Sequence, residues 1–477
     1  EADALWKKLL LHQFHDILPG SSIARVYEEA EKALGAVLTD AGKLAEGSAK
    51  ALTDQSAEKA VTVFNSLGFA RKELVSLPEC FASGAETADG EPIPVQAAQG
   101  TVKALVTIPS CGAVTLVPCE TAGSLPEGAS IAVTEDGYRM ENALIAAEIN
   151  RNGEVTSFVL KGSGREFAAS PMNRFRMYKD VPRMFDAWDI DSNYVDQEVE
   201  AAADITTEIL AEGLEAVLRV KGRIGSSFFT QDIRLRADSR RLEFETEIDW
   251  RELHRLLKTV FPADVYAENG INEIQFGYVE RPAHRSRQYD KDRFEVCNHR
   301  YSALCDGSHG AAVLNDCKYG ISMNANALEL TLLRAAASPE MRADNKIHRF
   351  TYGFTAWEGS FTDSDVVKQG YELNVKPLIT AGSTKTFRAV QVEKENVILD
   401  TLKPAEDGSG DLILRLYESK KASVSTRVAC GFGGCRAYLC DMLENAEEEI
   451  PMENGGIRLE FKAFEVKTVR VQTGLHT

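Results

Sequence analysis

The densest local constellation of chemically capable side chains lies near the start of the chain. It reads His12-Gln13-Phe14-His15-Asp16, followed by Ile17-Leu18-Pro19-Gly20-Ser21-Ser22. A helical pattern ends there and a loop begins. A histidine beside an aspartate at such a junction offers an imidazole ligand and a carboxylate from one short, rigid stretch. It is not a self-sufficient metal site. Zinc takes about four ligands, and His12 and His15 supply two at most. On local features alone, a satisfied structural histidine and a metal ligand both stay open. A second constellation is Asp186-Ala187-Trp188-Asp189-Ile190-Asp191. An aromatic face among carboxylates suits sugar stacking and hydroxyl recognition. The competing reading is a buried tryptophan with its N–H satisfied and acids capping turns.

Weaker candidates read as structural. Asn315-Asp316-Cys317-Lys318-Tyr319-Gly320 could reach a groove, but a strand turn with a structural aspartate is the simpler reading. His348, near Asp344 and Arg349, could form an ion-pair cluster at a domain interface, but a structural role is the simpler reading. Gly431, Gly433 and Gly434 have no strand-to-helix context and so do not form a phosphate loop. Cys430, Cys435 and Cys440 recur every five residues like a metal comb, yet zinc cysteines are usually closer, so buried small residues in strands are expected.

These residues need elements to hold them. Leu5, Trp6, Leu9 and Leu10 form a helical stripe that Pro19-Gly20 ends. Ser21 or Ser22 can cap a second helix, whose apolar positions are Val26, Ala30, Ala33, Leu34 and Val37. Beyond residue 55 nearly everything reads as strand. Asn152-Gly153 between Leu144–Ile149 and Val155–Leu160 is a strong hairpin signal. Ile233 and Leu235, then Leu242, Phe244, Thr246 and Ile248, alternate as a half-buried antiparallel hairpin. The expected fold class is mainly β: antiparallel β-sandwich domains preceded by the helical tail of a small three-helix bundle. The expected domains are 1–55 (partial bundle), 56–127 (small β-domain), 128–392 (large β-sandwich) and 393–477 (C-terminal β-domain). Ser83–Gly100, Thr121–Ser130 and Lys403–Gly410 read as linkers, and Glu444–Glu449 as a solvated acidic run.

Composition excludes several classes. At roughly 150 residues per domain, 477 residues imply about three domains. A 44% apolar and 26% charged composition is that of a folded, not disordered, chain. No apolar run approaches the ~20 residues of a membrane span. A net charge of -18 disfavours nucleic acid and is compatible with neutral ligands such as sugars. Nine scattered cysteines without a CxxC pair point to reduced thiols and a cytoplasmic location. The chain starts at Glu1 inside a helical pattern, so it reads as a piece of something longer.

The segment HQFHDILPGSSI resembles the QFHD or QHHD stretch of glycoside hydrolase family 38 α-mannosidases. Val63–Arg71, Ile108–Val114, the Glu141-Asn142 and Ile149–Gly153 pair, Phe185–Ile190, Leu314–Ser322, Leu332–Glu340, His348–Tyr352 and the closing FKAFEVKTVRV follow in the family's order. The resemblance covers nearly the whole chain and points to the branch with bacterial, fungal and cytosolic members. His299–Asp306 follows the family pattern only loosely, and Ala463 stands where a proline is usual.

The resemblance implies the C-terminal portion of a zinc-dependent retaining exo-α-mannosidase. It places His15 as one zinc ligand and Asp16 against the sugar, while Asp186, Trp188 and Asp189 stay candidate substrate contacts on the reading of their residue types alone. The catalytic nucleophile and acid, with most zinc ligands, belong to an N-terminal barrel that this chain lacks. The implied partners are a mannose-containing oligosaccharide and that barrel, with no nucleic acid or membrane; homo-oligomerisation stays open. The chain alone is expected to be inactive. Two alternatives remain: a freestanding carbohydrate-binding β-sandwich, which would need an aromatic platform from only four tryptophans, and a structural or assembly module.

Overall fold

The computed structural model describes residues 1–98, 100–121, 123–124, 127–200 and 202–473. It is mainly β, and every strand pairing described is antiparallel. Among the described residues no helix is long and apolar enough to cross a membrane. The chain divides into two compact units, one of residues 1–48, 126–272 and 280–366, the other of residues 49–125, 273–279 and 367–477.

The first unit opens with two helices, α1 (Ala2–Leu11) and α2 (Ala24–Ala51). In α2 the predicted stripe is the one covered: Ala30 and Val37 are buried, and Val26, Ala33 and Leu34 are half-buried. In α1 no residue is buried, and Trp6 and Leu10 lie largely in solvent. Ser21 does not act as the expected cap; its hydroxyl donates to Asp16 Oδ1 at 3.3 Å.

The large sandwich follows. One sheet has the central strands Glu215–Ile224, Ser227–Arg236, Leu242–Asp249, Ile347–Glu358 and His309–Asn315. The other contains Arg174–Lys179, Arg255–Pro262 and Ala327–Arg334. Both predicted hairpins form. Leu235 pairs with Leu242. The Asn152-Gly153 turn joins Ile145–Asn150 to Val155–Leu160, with Gly153 at φ 80°, a conformation that glycine adopts without a Cβ penalty. Inward-facing residues interlock, with Phe244 stacked on Tyr352 at 5.2 Å and Phe261 on Phe354 at 5.5 Å. Each such fully buried ring contributes roughly 1.5–3 kcal/mol.

In the second unit, Val61–Asn65 and Arg71–Leu77 are joined by residues 66–70 but belong to different sheets. The Asn65 amide fixes this corner, donating to the Phe69 and Pro109 carbonyls at 2.8 and 2.9 Å. Two expectations change here. Ser83–Gly100 is not simply a linker: Ala85–Thr87, Pro92–Ile93 and Val95–Ala98 are paired strands, and Gln99 lies outside the described residues. Ala122, Leu125 and Pro126 of the Thr121–Ser130 stretch are likewise outside. The end of the segment expected in the large sandwich instead closes onto this unit, Leu378–Ala381 pairing with Val61–Phe64. Backbone pairing across more than 300 residues leaves no local pattern to read. The last residues form a separate pair of sheets around Leu414, Leu416, Val428, Phe461 and Val469.

Candidate functional site

The HQFHD segment follows the last turn of α1. His12 N–H still reaches the Lys8 and Leu9 carbonyls, and the chain then turns until Gly20, whose φ of 80° lets it leave toward α2. Asp16 is half-buried and anchored by Ser21. His15 stands out from it, its side chain 78% exposed, with Nε2 3.6 Å from Asp16 Oδ2 and its ring 4.2 Å from that of Phe14. His12 is half-buried, and its Nδ1 has no hydrogen-bond partner. The carboxylate is thus held while the neighbouring imidazole is presented.

The DAWD loop belongs to the same unit. Phe185 adopts φ 57°, and the N–H groups of Trp188 and Asp189 return to its carbonyl at 2.7 and 2.9 Å. Asp186 Oδ2 accepts from Ala337 N–H at 2.7 Å and lies 3.0 Å from His254 Nε2. Burial alone would raise the Asp186 carboxyl, but Ala337, His254 and the nearby Arg334 outweigh it and hold its pKa below the ordinary range. Arg334 donates to the carbonyls of Asp186, Ala187 and Asp189, and through Nε to the buried Asp180 at 2.7 Å. Asp191 takes the Arg183 N–H at 3.1 Å, and Ile190 packs against Tyr178, Tyr194 and Leu256. Trp188 is not the buried tryptophan of the competing reading. It is 53% exposed, whereas Trp250 and Trp357 are buried with their N–H groups bonded to the Arg334 and Ser360 carbonyls. Nor do the acids follow it: Asp186 bonds residues 68 and 151 positions away, and Asp191 precedes the short helix Ser192–Asp196 without a side-chain cap bond.

The chain between Arg334 and Lys346 runs from the DAWD loop to α2. Ala337 meets Asp186 at one end, and Lys346 forms an ion pair with Glu31 of α2 at the other. Tyr27 of α2 holds the Ser22 N–H at 2.6 Å. Its phenol is raised by burial and further by the charges of Asp344, Asp16 and Glu340. Sequence reasoning missed His254, Arg334 and Asp180. Arg334 lay in a stretch already singled out for its resemblance; His254 carried no local signal.

The remaining candidates are structural. The Asn315 amide donates to the His299 carbonyl, and Asp316 takes the Thr351 N–H. His348 Nε2 lies 2.6 Å from the Asp344 carbonyl, and Arg349 pairs with Glu247. Cys430 is buried, whereas Cys435 is exposed. Among the described residues no group of three or more His, Cys, Asp or Glu could hold a metal ion. The chemistry of His15 fits one ligand of a zinc site, and the other ligands would have to come from elsewhere.

Three family descriptions match in chain order. Residues 1–52 match the alpha mannosidase middle domain, 140–342 the glycosyl hydrolases family 38 C-terminal domain, and 396–469 that family's C-terminal beta sandwich domain. The chain belongs to glycoside hydrolase family 38. Its matched stretches are the family's middle and C-terminal domains. Alpha-mannosidase 2C1 of Homo sapiens is 33% identical over 97% of this chain and 44% of its own length. Alpha-mannosidase G of Dictyostelium discoideum is 28% identical over 98% of the chain and 47% of its own length. The chain therefore spans about half the length of the curated family 38 relatives it matches. The crystal structure of an alpha-mannosidase from Enterococcus faecalis superposes with a TM-score of 0.79 at 15% identity, covering 98% of this chain and 63% of that one, a shared fold.

Proposed function

We propose that the protein containing this chain is a zinc-dependent retaining exo-α-mannosidase acting on mannose-containing oligosaccharides in the cytoplasm. The relatives named alpha-mannosidases support the substrate, and nine free cysteines support the compartment. In this reading His15 is one zinc ligand, Asp16 and Asp189 meet sugar hydroxyls, and Trp188 offers its face to a pyranose ring. Bound zinc would fix the sugar through vicinal hydroxyls and favour its distortion toward an oxocarbenium-like transition state. Retention needs two carboxylates about 5–5.5 Å apart across the glycosidic bond. We assign both to the part of the protein outside this chain, so the chain alone does not turn over.

The observation that carries the reading is the exposed His15 imidazole beside the anchored Asp16. The test is hydrolysis of an aryl α-mannoside, with zinc content measured in parallel. The full-length protein should be active. His15→Ala should lose at least about tenfold in zinc affinity and most of the rate, the effect of removing one of about four ligands. His12→Ala should be much milder. Zinc-dependent turnover by the isolated chain, or a His15→Ala enzyme with normal zinc content, would overturn the reading.

A further inference from the structure

The loop 181–189 presents Val181, Met184, Phe185 and Trp188 to solvent, each more than half exposed. An irregular segment with that much exposed apolar surface gains nothing from burial and would ordinarily be mobile. This one is bound at several points. The Arg334 guanidinium spans three of its carbonyls, at 3.2, 3.4 and 2.8 Å, while its Nε bonds Asp180. The Asp186 carboxylate turns inward onto Ala337 N–H and His254. His254 is itself in a left-handed conformation, φ 51°, with its N–H on the Ala335 carbonyl at 2.7 Å and its own carbonyl taking the Asp180 N–H at 3.0 Å. Two strand ends, at Arg334 and at Arg255, are thereby clamped on one loop.

The geometry points to His254, Arg334 and Asp186 as positioning residues that lock the Trp188 ring and Asp189 in place as a preformed platform for a pyranose ring of the substrate. This rests on the proposal that Trp188 meets sugar, and it changes the role of Asp186. Its Oδ2 is committed to Ala337 and His254, so it acts through the loop and not by touching the ligand. A fixed aromatic face binds a sugar ring without first losing conformational freedom, so releasing the clamp should weaken binding more than it slows the bond-breaking step. His254 is the informative position, because Gln can place an amide N–H near the place of Nε2, whereas Ala cannot.

The experiment uses the full-length enzyme with an aryl α-mannoside and an α-linked mannobiose, and hydrogen exchange over residues 181–189 of each variant. Trp188→Ala should raise KM about tenfold with kcat within about threefold, the signature of lost uniform binding. His254→Ala should raise KM by at least about threefold, again with little change in kcat, and should speed exchange at 185–189. His254→Gln should restore both. Unchanged kinetics in Trp188→Ala would sink the platform itself and leave the loop as a docking face for another part of the protein. Normal KM in His254→Ala, alongside a damaged Trp188→Ala enzyme, would refute the clamp alone. A fall in kcat that Gln does not rescue would also overturn it, since that is what general misfolding gives.

Discussion

Replacing Arg334 by Leu tests the energetic centre of this loop independently of any ligand. The Asp180 side chain is 2% exposed and that of Arg334 19%. Arg334 is the donor to Asp180 Oδ2, while Asp180 Oδ1 has no hydrogen-bond partner. Taking away the guanidinium leaves a buried carboxylate without compensation. Breaking a buried pair from one side costs about 3–5 kcal/mol, and the lower end is expected because the loop can swing to admit water. Asp180→Asn keeps an oxygen for Arg334 and should cost less. The double variant should lose less than the sum of the two. A pH dependence follows. Burial outweighs Arg334 and already raises the Asp180 pKa above its ordinary value. A carboxyl raised in the folded state favours folding fully below its unfolded pKa, and that contribution is lost as pH rises through the folded pKa. Arg334→Leu raises the folded value further, so its deficit should be largest near pH 7 and shrink as pH falls toward 5. Urea unfolding followed by tryptophan fluorescence is the assay. All four tryptophans lie in the first unit, and the Trp250 N–H rests on the Arg334 backbone carbonyl, which Leu retains. A loss under about 1 kcal/mol at pH 7, or a deficit that does not change with pH, would refute this account of the pair.

Amides of α1 should exchange much faster than those of Leu242–Asp249 and Ile347–Glu358, because α1 buries no side chain. Equal protection would show that α1 is held by contacts absent from this structure. The Cys430 thiol, pushed up to about 11 by burial, should alkylate far more slowly at pH 8 than the exposed Cys80 or Cys297. Comparable labelling rates, read by peptide mass spectrometry, would contradict the packing of Cys430.

What the sequence determined by itself is local. Asn152-Gly153 sets a hairpin because two adjacent residues satisfy the turn, and the Val26–Val37 stripe sets the covered face of α2 because helical period is read within a few turns. In HQFHD the sequence marked the residue types but not their arrangement, since Ser21, expected as a possible helix cap, instead holds Asp16. Tertiary structure decided the rest. His254 reaches Asp186 across 68 residues, Arg334 reaches Asp180 across 154, and Val61 pairs with Ala381. Nothing near any of these residues in sequence marks its partner. A side-chain hydrogen bond or a strand pairing is selected by the burial and geometry of the finished fold, and only that fold turned Trp188 outward while burying Trp250 and Trp357.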